Sequence, residues 1–513
     1  MQNVARNHAR NTAWVTLSIM LATIMQALDT TIANVALPHM LGSLNATQEQ
    51  ASWVLTSYIV AAAIMTAPTG FLAARLGRKR LFLISVAGFT ITSILCGVAQ
   101  NLTEMVIFRL LQGVFGAGLV PLSQAVLLDT YPKEKHGQAM AMWGMGVMLG
   151  PILGPTLGGW LTEYYNWRWV FYINVPVGIA TLIGIWVFMP ETEKTPGRSF
   201  DIFGFVMLSL AIGGLQLMLD RGQGEDWFSS TEITIEFVVT ALALYLFLVH
   251  ISTAKKPFLE PAMFRDRNFA SSLIFIFVVG IIMLASMALL PPYLQNLMGY
   301  PVMTTGLVLA PRGLGTMLAM LIAGRLTQKV DARWLIFSGL VLTAYSLWQM
   351  SLFTTSVPTY MLVQTGIIQG FGMGLVFVPL STVAYSTLAP HYRNDAAAVF
   401  SLMRNIGSSV GISIVTTLLA RNIQINHAQL GENLTNYKDL GAAVNLSTQA
   451  LSPAESTAIL QTLDAMLNKQ AATIAYLNDF RFMMLIVLLS IPLLLLLKNS
   501  RLNTPVKMPS AEH

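Results

Sequence analysis

Two charges set inside apolar runs are the residues of this sequence best placed to do chemistry. Asp29 lies in the run that begins near Trp14, and Arg109 in the run that begins near Glu104. At 1.5 Å per helical residue, Asp29 is about 12 Å from the end of its run at Leu37, and Arg109 about 8 Å from the start of its own. Runs that cross a membrane in opposite directions bring these charges to similar depth. A lone aspartate at mid-membrane costs roughly 2.5–3.5 kcal/mol, so it must face a cavity or a partner. Burial disfavours the carboxylate and a nearby arginine favours it, so an acid held between the two can take up and release a proton. A buried structural pair and a substrate anchor are the other readings of Asp29, and a static brace is the other reading of Arg109. Arg312 and Arg404 are further intramembrane charges, able to line a cavity or to snorkel. Gln26, Asn34 and Gln112 complete the candidates for cavity or coupling.

Other chemistries find no constellation. The seven histidines are scattered with no HExxH, so a zinc site is not expected. Cys96 is the single cysteine, which excludes a disulfide framework or a redox pair. There is no GxxxxGK[ST] phosphate loop, and no nucleophile–base set. These absences leave an enzyme unexpected and call for no cofactor.

The elements that position these charges must be membrane helices. Of 513 residues, 54% are hydrophobic and 11% charged, with mean hydropathy +0.62, against about 25% charged in soluble domains. Such a chain cannot cover a soluble surface, so its apolar excess faces a lipid bilayer. The net charge of +6 lies in short loops between apolar runs, where it reports topology and not nucleic-acid binding. Bilayer-length runs fall near 14–37, 52–73, 81–99, 104–128, 139–161, 169–189, 203–219, 232–252, 269–290, 304–324, 335–354, 358–384, 396–420 and 480–497, fourteen in all. Alternating loops concentrate Arg75, Arg78, Lys79, Arg80, Lys133, Lys135, Lys194, Arg198, Lys255, Lys256, Arg265, Arg267, Arg325, Lys329, Arg333, Arg393, Lys498, Arg501 and Lys507 on one side. Arg168, Arg221 and Lys438 are among the few on the other. The positive-inside rule then puts both termini in the cytoplasm. The polar segment 421–478 is expected outside, as a solvated loop, an amphipathic hairpin patterned over Ala454–Leu467, or a docking element.

The chain also repeats itself at an offset near 257. Gln112, Gly113, Pro121, Leu122 and Ser123 match Gln369, Gly370, Pro379, Leu380 and Ser381, and Gly150 and Gly154 match Gly407 and Gly411. Arg109 has no counterpart, since Gly366 stands at its position. Two parallel six-span halves build a central cavity between bodies that can rock, the geometry of alternating access. The expected units are a six-helix bundle over 1–190, a two-helix insert over 191–260, and a second six-helix bundle over 261–513 that carries the external segment.

Several motifs carry a family resemblance. Gly70-Phe71-Leu72-Ala73-Ala74-Arg75-Leu76-Gly77-Arg78-Lys79-Arg80 resembles the loop signature of the major facilitator superfamily. Ala74 stands where that signature usually has an aspartate, so the charge clamp attributed to that acid does not carry over. Arg109 with Gln112-Gly113 resembles the fourth-span arginine motif. Gly146, Gly150-Pro151, Gly154-Pro155 and Gly158-Gly159 resemble the fifth-span antiporter motif; read physically, they allow close helix packing and a bend. Leu28-Asp29-Thr30-Thr31 through Pro38, Trp167-Arg168-Trp169 through Pro176, and Leu219-Asp220-Arg221-Gly222 with Asp226–Ser230 resemble the fourteen-span drug:proton antiporters, the EmrB/QacA group and its EmrB branch. The resemblance implies an all-α major facilitator fold, two six-helix bundles plus two inserted helices, in a cell inner membrane. It implies proton-coupled export of hydrophobic or amphipathic small molecules, working with a periplasmic adaptor protein and an outer-membrane channel. A transporter of one metabolite, siderophore or lipid, and a non-transporting membrane sensor or scaffold, are the alternatives to be separated by experiment.

Overall fold

The computed structural model describes residues 2–44, 46, 48–191, 200–254, 257, 259–432 and 453–497. Outside them lie Lys194, Arg198, Lys255, Lys256, Lys438, Lys498, Arg501, Lys507 and the middle of the polar segment, 433–452.

Every regular element among the described residues is helical. The first half holds α1 (Gln2–Leu44), α2 (Gln48–Thr66), α3 (Thr69–Leu76), α4 (Arg78–Val98), α5 (Leu102–Gly116), α6 (Leu119–Thr130), α7 (His136–Tyr164), α8 (Trp169–Tyr172) and α9 (Asn174–Phe188). Next come α10 (Ile202–Arg221) and α11 (Thr231–Thr253). The second half holds α12 (Arg267–Pro292), α13 (Val302–Leu326), α14 (Ala332–Met350), α15 (Thr359–Ser386), α16 (Arg393–Glu432) and α17 (Pro453–Ser490).

The internal repeat is visible as a repeated pattern of packing. In the first half α1 packs on α7 and α9, α2 on α5, and α4 on α5 and α9. In the second, α12 packs on α16 and α17, α13 on α15, and α14 on α15 and α17. Each of these pairings in one half has its counterpart in the other. The match is not exact in register. Gly150 and Gly154 abut Ala27 and Thr31, whereas Gly407 and Gly411 abut Phe277 and Ile281, two helical turns from the repeat-equivalent Leu284 and Ala288.

The helices coincide with all fourteen expected runs, but the number of crossings is smaller by composition. Among the described residues twelve helices are long and apolar enough to span a bilayer, or thirteen with α2 and α3 counted as one span. That span is broken, contrary to the continuous run expected over 52–73: α2 and α3 meet at 57°. Pro68 stands at the break, where it supplies no backbone donor. The remaining helix, α14, falls short because Arg333, Tyr345, Gln349 and two tryptophans dilute it. Its exposed stripe is still apolar, running Trp334, Phe337, Val341, Tyr345 and Trp348, with a tryptophan near each end as at membrane interfaces.

The polar segment 421–478 also differs from a loop. Residues 421–432 continue α16 and residues 453–478 belong to α17. His427 bonds to Asp464 at 2.9 Å and the Asn426 amide donates to the Ala471 carbonyl at 3.4 Å. Ala471, Ala475 and Tyr476 are buried, so the last span begins earlier than the expected 480. Polarity marks where a helix leaves the apolar medium, not where it ends.

Candidate functional site

Asp29 and Arg109 meet. Arg109 Nη1 donates to Asp29 Oδ2 at 2.7 Å, and both side chains are almost wholly buried. Opposite ends of antiparallel helices α1 and α5 bring them to one level, as their depths along the sequence required. Gln112, one turn along α5, donates to Asp29 Oδ1 at 3.0 Å and accepts from Arg109 Nη1 at 2.8 Å. Arg109 Nε donates to the Val54 carbonyl of α2 at 3.2 Å, and the guanidinium lies 4.3 Å over the Tyr58 ring. Guanidinium suits this place because it can stack on a ring while its donors are fixed in a plane.

Sequence reasoning missed Asn174, Ser93 and Tyr58. The Asn174 amide donates to Asp29 Oδ1 at 2.9 Å and to Ser93 Oγ at 3.0 Å, and Ser93 Oγ in turn donates to the Phe171 carbonyl. Asn174 opens α9 as a lone amide in an apolar run, which is the signal that could have found it. Tyr58 and Ser93 offered no signal beyond their polarity. Cys96 Sγ donates to Gln112 Oε1 at 3.5 Å, so the single thiol borders the same network.

All three donors to Asp29 lie on amide or guanidinium nitrogens, so the geometry fits the ionised carboxylate. A buried pair of this kind is held by its hydrogen bonds as much as by charge. Protonation would remove the counter-charge of Arg109 while leaving its bond to Gln112.

The other expected site residues lie apart from this network. Gln26 is half-buried and reaches the Tyr58 hydroxyl at 3.4 Å, one step removed. Asn34 is exposed and turns back to the Thr30 carbonyl of its own helix. Arg312 and Arg404 are half-buried; their backbone carbonyls back onto Gly370 and Gly280, and neither side chain approaches Asp29. Gly150 lies against the Ala27 backbone and Gly154 against Thr31, so these glycines bring α7 close to α1 around Asp29. Gly146 meets the flexible end of Met20, with Ile24 at ordinary contact distance, and Gly159 has open space. Pro151, Pro155 and Gly158 lie within the same helix, α7.

The loop signature builds a second charged cluster. Gly77 takes φ 88° where α3 turns into α4, a conformation open to glycine. Gly70 leaves no room for a side chain beside Asp395 of α16. Arg75 is exposed, whereas Arg78 is buried and pairs with Asp129 of α6. Asp129 also accepts from Arg393 of α16 at 2.6 Å. The clamp expected to be lost with Ala74 is thus rebuilt from other acids: Asp129 joins an arginine from each half. On the same face Gln328 donates to the Glu134 carbonyl at 2.7 Å, and Trp143 stacks on Phe377 deeper in.

Two related helical halves, joined across one face and holding a buried ion pair among apolar helices, define a polytopic membrane transporter. Residues 19–412 match the model of the Major Facilitator Superfamily, and the chain belongs to that family. It is 36% identical over 450 residues to the multidrug export protein EmrB of Haemophilus influenzae, covering 87% of this chain and 88% of the relative. It is 36% identical over 451 residues to the fatty acid resistance protein FarB of Neisseria gonorrhoeae, covering 87% and 89%. Over 446 residues it is 36% identical to EmrB of Escherichia coli strain K12, covering 86% and 87%. Among solved structures, the human organic anion transporter MFSD10 superposes with a TM-score of 0.60 at 14% identity, over 93% of this chain and 99% of that one, a likeness of fold.

Proposed function

We propose that this chain is a multidrug efflux transporter of the inner membrane, which exports hydrophobic and amphipathic compounds in exchange for protons. The observation that carries this reading is the buried Asp29, held by Arg109, Gln112 and Asn174 at the junction of α1, α5 and α9. A proton arriving on Asp29 neutralises the carboxylate and frees Arg109 to turn toward Gln112 and Tyr58. That change loosens α1 from α5, and α1 is the helix packed most closely on the glycines of α7. Release of the proton on the other side restores the pair. Each proton crossing 100 mV supplies about 2.3 kcal/mol, enough for roughly a fifty-fold substrate gradient. No cofactor is required.

The same proposal takes α14 as a crossing, giving fourteen, and places the arginine-rich face and both termini in the cytoplasm. On the opposite side, the extensions of α16 and α17 stand beyond the bundle, with Ile425 and Met466 exposed. They are the surface we assign to a periplasmic adaptor leading to an outer-membrane channel.

A drug-susceptibility panel with and without the gene, paired with transport by purified protein in liposomes under an imposed proton gradient, tests the reading. Broad hypersusceptibility and gradient-dependent export are expected. Export of one metabolite alone, or no transport in liposomes, would overturn it. The relative named for fatty acid resistance makes fatty acids the second substrate class to include.

A further inference from the structure

The second half keeps the helix pairing of the first but not its charge pair. Ser286 and Gln369 stand 257 residues after Asp29 and Gln112. The Gln369 amide donates to Ser286 Oγ at 3.0 Å, which reproduces the Gln112–Asp29 bond with a hydroxyl in place of the acid. Met483 of α17 touches Ser286 through its sulfur at 3.9 Å, where Asn174 of α9 touches Asp29. Arginine is missing, with Gly366 at its position.

An acid is nevertheless present in this half, one turn earlier on α17. Asp479 belongs to the buried stripe Ala475, Asp479, Met483 and Val487, and its exposure is 0%. Both of its carboxyl oxygens lack a hydrogen-bond partner, and so does Gln369 Oε1. No cation faces it. On its own helix Arg481 is exposed. Between Asn268 and Pro292 α12 has no charged residue, and α14 has only Arg333 at its far end. On α16, Arg421 is exposed and Arg404 lies about 25 Å further along the helix. The Tyr476 phenol, one turn before it on α17 and packed edge to face on Tyr293 at 5.4 Å, is the titratable group that interacts with it. An ionised carboxylate here would have neither counter-ion nor donor, a state that buried charges do not tolerate.

We infer that Asp479 is a second proton-binding site, loaded in this conformation while Asp29 is empty. This rests on the proton-coupled reading above and adds to it a proton carried by the C-terminal half. The neutral acid gives its proton to water when the halves swing and α17 becomes accessible, leaving a carboxylate that is reloaded before the bundle closes again. Opposite loading of the two acids in one conformation makes the exchange of two protons per cycle the natural count.

Infrared absorption of the purified full chain in lipid nanodiscs tests the loading without any substrate. Wild type and Asp29→Asn should show the carbonyl band of a protonated carboxylic acid, Asp479→Glu should retain it, and Asp479→Asn should lose it. Proteoliposomes then give the proton count, from the substrate gradient held at balance against imposed pH and voltage gradients. Asp479→Asn should still transport, with one proton fewer per substrate, and Asp479→Glu should restore the count. If the band is absent from wild type or persists in Asp479→Asn, the acid is not loaded and the inference falls. If the band is lost but the count stays the same, Asp479 is a structural neutral acid and the coupling role falls, with Asp29 untouched. If wild type exports substrate without moving any proton, both the coupling role and the proton-coupled reading fail.

Discussion

Arg109 presents a single nitrogen, Nη1, to both Asp29 and Gln112, while Gln112 presents its amide back to Asp29. The three side chains therefore close a ring, and a change at any one alters the other two bonds.

Replacing Asp29 with asparagine removes the titratable group and nearly preserves its shape. Proton-driven efflux by Asp29→Asn in liposomes should fall to background, while yield and elution profile in detergent stay those of wild type. Export against a gradient at the wild-type rate would exclude Asp29 as a carrier.

Arg109→Lys keeps a positive charge but cannot bond Asp29, Gln112 and the Val54 carbonyl together. Transport should drop at least tenfold. Arg109→Ala leaves a buried charge unpaired and should cost about 3–5 kcal/mol of stability, read as a lowered unfolding midpoint in detergent. Adding Asp29→Asn to Arg109→Ala should recover most of that stability and none of the transport. Normal transport by both Arg109→Lys and Arg109→Ala would make Arg109 a brace with no role in coupling.

The antiporter-motif glycines should rank by what an added methyl would meet. Gly150→Ala strikes the Ala27 backbone, which cannot move aside cheaply; overpacking of this kind costs about 1–3 kcal/mol. Gly146→Ala meets the flexible end of Met20, and Gly159→Ala meets nothing within 4 Å. Efflux assays should show loss at Gly150, a mild effect at Gly146 and none at Gly159. Equal tolerance at all three would rule out close α1–α7 packing in the transport cycle.

Asp129 ties Arg78 and Arg393 across the two halves. Asp129→Asn should weaken this clasp and favour opening on that face. Glu134→Cys with Gln328→Cys, in a Cys96→Ala background, provides the readout, because the two positions are joined across the halves. Disulfide formation should be efficient with Asp129 in place and several-fold slower with asparagine there.

Shortening the helical extensions between residues 427 and 468 should reduce co-purification of an adaptor and whole-cell resistance, yet spare transport in liposomes. The cut stops before Ala471, which is buried in the bundle. Collapse of liposome transport with adaptor binding intact would assign the extensions to the transport cycle instead.

The sequence made legible what depends on composition and periodicity: the helices, the duplication, and the pairing of Asp29 with Arg109 by depth. It did not tie Asn174 to the site: a lone amide in an apolar run marks a residue, but nothing local says that it faces Asp29. Nor did it separate Asn34 from Gln112, since both are amides in spans and only helix rotation puts one against Asp29. The acids opposite the loop signature were hidden for another reason. Asp129 of α6 and Asp395 of α16 lie outside the signature, and nothing local announces that one pairs with Arg78 and the other lies against Gly70. Asp479 was passed over because the run around it is polar enough to read as lying outside the bilayer.

The inserted helix α10 has a consequence for how lipid-soluble compounds reach the interior. It lies against α2 through Gly213 and the Thr56–Asp220 bond, and against α16 through Gln216, whose carbonyl accepts from Ser409 at 2.7 Å. Because α2 and α16 belong to different halves, α10 covers the seam between them on that flank, with α11 packed outside it. A compound diffusing sideways out of the membrane meets a wall there. The opposite flank, where α7 packs on α13, carries no such cover among the described residues, so the two sides are unequal toward lipid although the fold beneath them is nearly twofold.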